Sequence, residues 1–380
     1  MQVSFVLCIQ YLSFTVLLSA RTIFSLFALE LGASAFEVGA LAAVNQAPAL
    51  LLSFVIGLMA DRLGTCGLFA FGLLCGSAGL AIAWLAPGMP ALYGAAVLCG
   101  IWSAFTVVLM QRAVGMLSKP ETLTRNFSNQ AMINSLAGVS GPLLAGYAIE
   151  HLGHARAIVV LLPFALLIGT LLLIGGGLLA RALRGMPATS RGPAPENIGR
   201  GLTRLLLISG AVQLAMELFP FFLTLHGHAI GLSAAAIGFV ISSAYVASLA
   251  ARVILPPVVR RFGEERILSL ALALSAFAFV LMPAFHSAAT LVGVSLVQGL
   301  GMAFGGPLVL LLLYKGVPRE RAGAAIGLRM TANAAIRVGS PPVFGASVVI
   351  LGLPGVIFVT AALVGASGWA IGRRVWRVVT

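Results

Sequence analysis

The chain is 380 residues long, 60% hydrophobic and only 9% charged, with a formal charge of +13. An ordinary soluble domain is about 45–50% apolar and about 25% charged, so no soluble fold can hide this much apolar surface. The apolar runs are continuous and do not alternate, which excludes a β-barrel, and at about 20 apolar residues per spanning helix the length allows twelve crossings.

The predicted spans in the first part of the chain are 4–29, 36–59, 67–86, 91–115, 126–149 and 157–180. No Lys or Arg precedes Arg21 and no small-residue cleavage site follows, so the first span reads as a retained signal anchor. Arg21 lies in its outer half. The second span ends in Gly57-Leu-Met-Ala-Asp61-Arg62-Leu-Gly64. Gly72, Gly76 and Gly79 share one face of the third, a spacing that lets helices approach closely. The fourth ends near Arg112. The fifth carries Gln130, Asn134 and Ala137-x-x-x-Gly141-Pro142-x-x-Ala145-Gly146, where small residues favour close packing and Pro sets a bend. After the sixth comes the one long hydrophilic stretch, Arg181 to Arg200, rich in Gly and Pro and read as a flexible linker.

The later spans are 202–226, 234–257, 267–285, 290–314, 322–350 and 354–372. The seventh holds Gln213, Glu217 and Pro220. Pro220 deprives the Met216 carbonyl of its helical donor, so this helix can kink beside Glu217. The eighth ends in Arg260-Arg261-Phe262-Gly263. The tenth holds Gln298 and is interrupted by Gly299, Gly301, Gly305, Gly306 and Pro307, a pattern open to two readings, a gating helix or ordinary membrane packing. The eleventh carries Arg329, Asn333, Arg337 and Gly339-Ser340-Pro341-Pro342-x-x-Gly345.

These two sets of spans repeat at a constant offset of 199 residues. Gly32, Ser34, Ala35, Gly39, Arg62 and Gly64 recur as Gly231, Ser233, Ala234, Gly238, Arg261 and Gly263. Asn134, Val139, Pro142, Gly146, Leu152 and Gly153 recur as Asn333, Val338, Pro341, Gly345, Leu351 and Gly352. The expected organisation is a six-helix bundle over 1–181, a cytoplasmic linker over 182–200 and a second six-helix bundle over 201–380. Internal repeats of this kind mark secondary transporters, in which two bundles rock about a shared site near the bilayer midplane.

The charge distribution orients the chain. With odd–even topology one face collects Arg62, Lys119, Arg125, the linker arginines, Arg260, Arg261, Arg266, Lys315 and Arg373, whereas the opposite loops carry only Arg156. This positive-inside bias places both termini in the cytoplasm of an inner-membrane protein. Basicity here predicts contact with anionic lipid headgroups and not with nucleic acid. The cysteines, Cys8, Cys66, Cys75 and Cys99, read as packing thiols, and the chain is expected to act as a monomer without cofactor or metal. All five histidines, His151, His154, His226, His228 and His286, fall on the outer side and read as interfacially solvated.

Gly57-x-x-x-Asp61-Arg62-x-Gly64 resembles the loop between the second and third helices of the major facilitator superfamily, and departs from it where Thr65, Cys66 and Gly67 replace basic residues. The second copy keeps Arg261 and Gly263 and loses the acid. The fifth-span motif resembles that of the superfamily's proton-coupled exporters, with Ala at two Gly positions; its repeat copy, through Pro341 and Gly345, is equally explained by helix packing. The resemblance covers essentially the whole chain. It implies an all-α polytopic membrane protein of twelve transmembrane helices in two pseudo-symmetric bundles, a gate at Gly57, Asp61, Arg62, Gly64 and Arg112, and alternating access.

Charges inside the spans mark the candidate pathway, since each is costly there. Arg112, Arg252 and Arg329 lie within about two turns of the predicted cytoplasmic ends and read as snorkelling. Arg21, Arg337 and Glu217 are too deep for that. Two roles are open for them: Arg21 and Arg337 bind an anionic group while Glu217 carries a coupling proton, or Arg21 and Glu217 form a structural pair. Asn134, Gln213, Gln298 and Asn333 add hydrogen-bonding capacity for a solute, although Asn134 and Asn333, as repeat mates, serve packing equally well. The expectation is a proton-coupled transporter of a small organic solute, in the export direction, with import or uniport of an organic anion as the alternative and a passive channel or sensor as the other class. No enzyme constellation such as His-Glu-x-x-His and no nucleotide-binding loop is present.

Overall fold

In a bilayer every backbone N–H and C=O must be satisfied within the chain, so long apolar runs become helices. A computed structural model, describing residues 2–119, 121–183, 200–316 and 319–379, has this character throughout. The helices are α1 (Gln2–Glu30), α2 (Ala35–Leu63), α3 (Thr65–Leu85), α4 (Met89–Leu117), α5 (Leu123–Leu152), the one-turn α6 (His154–Ala157), α7 (Leu162–Leu183), α8 (Arg200–Ala229), α9 (Ala234–Phe262), α10 (Glu264–Leu281), α11 (Ala288–Gly316) and α12 (Arg319–Val379). A 3₁₀ turn joins α6 to α7 and another follows α10. Eleven helical segments are long and apolar enough to cross a membrane. The last, Ala325–Ile371, runs 47 residues. That is more than twice what one crossing needs, and it breaks at Gly352 (φ 70°, ψ 162°) into two spans. The expected twelve crossings follow.

The duplication is written in the backbone as well as in the sequence. Every positive-φ residue among those described is a glycine, and the set consists of three pairs separated by the repeat offset: Gly32 and Gly231 (83° and 75°), Gly64 and Gly263 (81° and 82°), Gly153 and Gly352 (77° and 70°). Each ends one helix and releases the next at a φ that a Cβ would strain. The N-caps repeat too. Ser34 Oγ accepts from the Glu37 N–H (3.3 Å) ahead of α2, and Ser233 Oγ accepts from the Ala236 N–H (3.3 Å) ahead of α9. Only the first copy closes a full capping box, with the Glu37 carboxylate accepting the Ser34 N–H at 2.8 Å.

The chain divides into two compact units, one of residues 1–188 and 233–242, the other of 189–232 and 243–380. The expected linker, 182–200, lies almost wholly outside the described residues. In the first unit α1 packs on α4, α5 and α7, with Val6, Ile9, Val16 and Ile23 fully enclosed. The α2–α4 approach is closest at Gly100, where a Cβ would sit 2.2 Å from the Asn45 carbonyl oxygen. In the second unit α8 packs on α11 and α12, and α10 on α11 and α12. Its counterpart of Gly100 is Gly299, whose Cβ would meet the Ala244 carbonyl at 2.1 Å. The α3–α4 contact exchanges its partners between units. Gly76 accommodates Trp102 in the first, with a Cβ-to-ring distance of 2.3 Å, and in the second Ser275 faces Gly301, whose Cβ would lie 2.2 Å from Ser275 Oγ. Large side chains face outward toward lipid, among them Leu173, Ile174, Val349 and Ile350, each more than three-quarters exposed.

The glycines of the tenth span do not interrupt it: α11 is continuous from Ala288 to Gly316. Gly299, Gly301 and Gly305 each press on a neighbour, the last with a Cβ position 2.6 Å from Val212 Cγ1. Packing therefore accounts for them in this conformation.

Candidate functional site

The polar side chains of the spans gather along the contact between the first and fifth helices of each unit. In the first unit Gln130 Nε2 donates to Gln10 Oε1 (2.8 Å) and Gln10 Nε2 donates to Asn134 Oδ1 (2.7 Å), joining α5 to α1. One to two turns on, the Thr15 and Ser140 hydroxyls share a hydrogen bond (3.0 Å) and Ser19 Oγ donates to the Gly141 carbonyl (2.8 Å). The helices come this close because Gly141 has no Cβ; one built there would lie 2.8 Å from Leu18 Cβ. A hydrogen-bonded amide chain satisfies itself inside the membrane. Asn134 is thus a member of a helix-joining network, with its own residue exposed and Gln10 and Gln130 buried.

The second unit repeats this network at the same positions with different chemistry. Arg329 Nε donates to Ser209 Oγ (2.8 Å), and Ser209 Oγ donates to Asn333 Oδ1 (3.0 Å). Ser209, Arg329 and Asn333 are the repeat mates of Gln10, Gln130 and Asn134. Two stripes extend from it at helical spacing: Ser209, Gln213 and Glu217 on α8, and Arg329, Asn333 and Arg337 on α12, each at i, i+4 and i+8. Ser209 ties α8 to α12 at Arg329 and Asn333, and Glu217 and Arg337 lie further along the same helix pair, eight residues beyond Ser209 and four beyond Asn333. Glu217 is buried, at 4% exposure, while Gln213, Arg329, Asn333 and Arg337 are half-buried.

Arg252 and Arg329 lie within about one turn of the ends of the apolar segments Ala234–Leu255 and Ala325–Ile371, as the snorkelling expectation has them. The helices extend past the predicted boundaries of 257 and 322, so Arg252 lies ten residues before Phe262 and Arg329 ten residues beyond Arg319. That is about 15 Å from each helix end. The Arg329 side chain is anchored through Nε to the buried Ser209 hydroxyl. The sequence reading missed Gln10 and Ser209, repeat mates that bridge Gln130 to Asn134 in the first unit and Arg329 to Asn333 in the second.

The remaining predicted site residues are dispersed. Gln298 is completely enclosed, its Nε2 donating to the Ala215 carbonyl (3.3 Å) between α11 and α8. Arg21 is half-buried on α1 and Arg112 half-buried on α4. Gly57 lies in the last turns of α2 and Gly64 caps it; the side chains of Asp61 and Arg62 are outside the described residues. Gly141, Pro142 and Gly146 pack tightly in the first unit, with Gly146 against Ala234 (a Cβ would be 2.5 Å from its carbonyl oxygen) and the Pro142 carbonyl against Gly238. Beside this seam Ser242 Oγ donates to the Val139 carbonyl (2.7 Å) and the Ala235 N–H donates to Glu150 Oε2 (3.3 Å). Pro341 and Gly345 are buried on α12.

The histidines are more engaged than interfacial solvation requires. His154 pairs with Glu30 and stacks on Phe27 (5.9 Å between centroids), and His226, 6% exposed, bonds the Phe285 carbonyl at 2.9 Å. The latter corrects the solvated reading: the α8 terminus folds His226 under the residues that follow α10. The four cysteines are free thiols; Cys66 and Cys99 donate to the carbonyls of Gly176 and Gly76.

Comparison with known proteins places the fold. A POT family transporter in complex with a thioalcohol-conjugated peptide is similar over 100% of this chain and 96% of its own, with a TM-score of 0.82 at 11% identity. The nucleoside transporter NupG is similar over 98% of this chain and 99% of its own (TM-score 0.74, 17% identity). The human organic anion transporter MFSD10 (TETRAN) is similar over 98% and 100% (TM-score 0.66, 17% identity). No curated protein matches the sequence. The Major Facilitator Superfamily matches residues 3–203 and 205–378, in two successive copies that together take in nearly every residue, and the chain, a multi-pass membrane protein, belongs to that superfamily.

Proposed function

We propose that this chain is a secondary active transporter that moves a small organic solute across the cytoplasmic membrane by alternating access, coupled to protons, with both termini cytoplasmic and the monomer as the working form. The observation that carries this reading is the buried carboxylate of Glu217, on a polar stripe shared with Ser209 and Gln213. A carboxylic acid held in a membrane span beside basic groups can gain and lose a proton as its surroundings change, which is what coupling requires. Asn333, Gln213 and Arg337 supply hydrogen bonds and charge for the solute, and Arg21 adds a cation in the first unit. Gly57, Asp61, Arg62, Gly64 and Arg112 serve as the cytoplasmic gate. Surface arginines meet anionic lipid headgroups.

Export is the direction supported by the small-residue and Pro motif ending in Gly141-Pro142-x-x-Ala145-Gly146. A second reading, import or uniport of an organic anion, is favoured by the excess of intramembrane arginines over acids. The similar structures include a nucleoside transporter, an organic anion transporter and a transporter in complex with a conjugated peptide, a range that leaves the choice to this chain's own residues.

The test is flux in sealed vesicles holding the purified protein. Accumulation against a gradient that a protonophore abolishes is the expected result; flux that only equilibrates favours uniport. Glu217→Gln should abolish proton-driven accumulation and spare solute exchange. If accumulation survives in that variant, Glu217 is not the coupling group.

A further inference from the structure

The duplication supplies an internal comparison, because residues of the second unit have counterparts in the first at the same offset. At the α1–α5 network of the first unit every member is neutral, and each amide is spent on another: Gln130 on Gln10, Gln10 on Asn134. At its counterpart a guanidinium has replaced a carboxamide, and a short hydroxyl has replaced the long Gln10 side chain. The exchange adds a full positive charge in one step. Arg329 commits only Nε, to Ser209. The four N–H donors of its terminal nitrogens have no hydrogen-bond or ion-pair partner among the described residues. Asn333 commits Oδ1 to the same hydroxyl, which leaves its amide N–H groups without a partner there as well.

A second guanidinium stands at matching depth. Arg252, ten residues from the end of α9, has a buried Nε with no partner among the described residues, and no ion pair to it forms among them. Its repeat mate is Ser53, whose hydroxyl is turned back on the Ala49 carbonyl. Both cations are thus additions to the second unit at places where the first is neutral. Uncompensated charge in a membrane span is costly and persists where a pathway needs it. Neutral packing needs none of it, as the first unit demonstrates.

We propose that Arg329, oriented by Ser209 and accompanied by Asn333, forms a subsite for the carboxylate of an organic anion, with Arg252 adding positive charge at the same depth. The planar fork of a guanidinium matches the two oxygens of a carboxylate, and the Asn333 amide offers a further donor. This inference rests on the transporter reading for its purpose and not for its chemistry, so binding and flux are measured separately.

Thermal stabilisation of the purified full-length protein by benzoate and by succinate, with neutral benzamide as control, reads the site. The carboxylates should raise the unfolding temperature where benzamide does not. Arg329→Gln should weaken that binding by about tenfold to a hundredfold, the loss expected for a charge-assisted hydrogen-bond pair. A double variant, Ser209→Gln with Arg329→Gln, rebuilds the neutral network of the first unit; it should fold as the native protein does and still fail to respond. Arg329→Lys keeps the charge without the fork and should fall between the two. Absence of a carboxylate-specific shift in the native protein, or a shift that persists in both Gln variants, overturns the proposal. Carboxylate binding without flux of any solute would instead overturn the transporter reading and leave the subsite standing.

Discussion

Gly100 and Gly299 show how much a single hydrogen atom can decide. At each a Cβ would fall within about 2.2 Å of a carbonyl oxygen on the neighbouring helix, and backbone cannot step aside as a flexible side chain can. Gly100→Ala or Gly299→Ala should therefore cost about 1–3 kcal/mol through forced separation of the helices, read as a lower unfolding temperature in detergent; an unchanged temperature for both would mean the helices relax freely. Residues of this kind were partly legible beforehand. Gly32, Gly64 and Gly153 stood out as invariants of the repeat, and their positive φ gives the physical reason. Arg329 was not legible, because its meaning depends on Ser209, 120 positions away, and a lone arginine near a helix end looks the same whether it reaches for the interface or for a hydroxyl. Gln298 is half accounted for: its Nε2 donates to the Ala215 carbonyl, while its buried Oε1 has no partner among the described residues.

Between helices, the repeat preserves contacts better than side chains. The α3–α4 pair keeps its close approach in both units while the small partner changes sides, from Gly76 against Trp102 to Ser275 against Gly301. Compensation of this sort predicts coupling. Gly76→Ser alone should destabilise the first unit, as should Trp102→Gly, but the double variant should be less damaged than their sum by about 0.5–3 kcal/mol. A double-mutant cycle on unfolding free energies in detergent measures this, and strictly additive costs would refute it. Helix existence followed from apolar length alone, since the bilayer leaves the backbone no other solution. Helix ends did not: α9 and α12 continue beyond the apolar stretch because charged turns at the interface are satisfied by water and still extend the helix. The supposed interruption of α11 was likewise invisible to composition, because Gly and Pro in a membrane helix either bend it or admit a neighbour, and only the neighbours distinguish the two.

For the molecule as a whole, alternating access requires contacts that form in one state and break in another, and the Gly57-to-Gly64 turn is the proposed place on the cytoplasmic side. Asp61→Asn should cripple transport while the protein still reaches the membrane folded, measured as vesicle flux normalised to purified monomer; normal flux would remove the turn from the gate. The units share the repeat and differ in charge at Gln130 against Arg329 and Ser53 against Arg252, which is where the proposed chemistry lies. The guanidinium of Arg329, which has no ion-pair partner among the described residues, has an electrical consequence under the proposed subsite. A membrane potential acts on each elementary charge with about 2.3 kcal/mol per 100 mV, so a carrier whose cation is bare differs by one charge from the same carrier with a carboxylate seated on it. Return of the empty protein should then respond to voltage differently from passage of the loaded one. Transient capacitive currents from reconstituted protein, present without solute and suppressed as an anionic solute saturates, would report that difference directly.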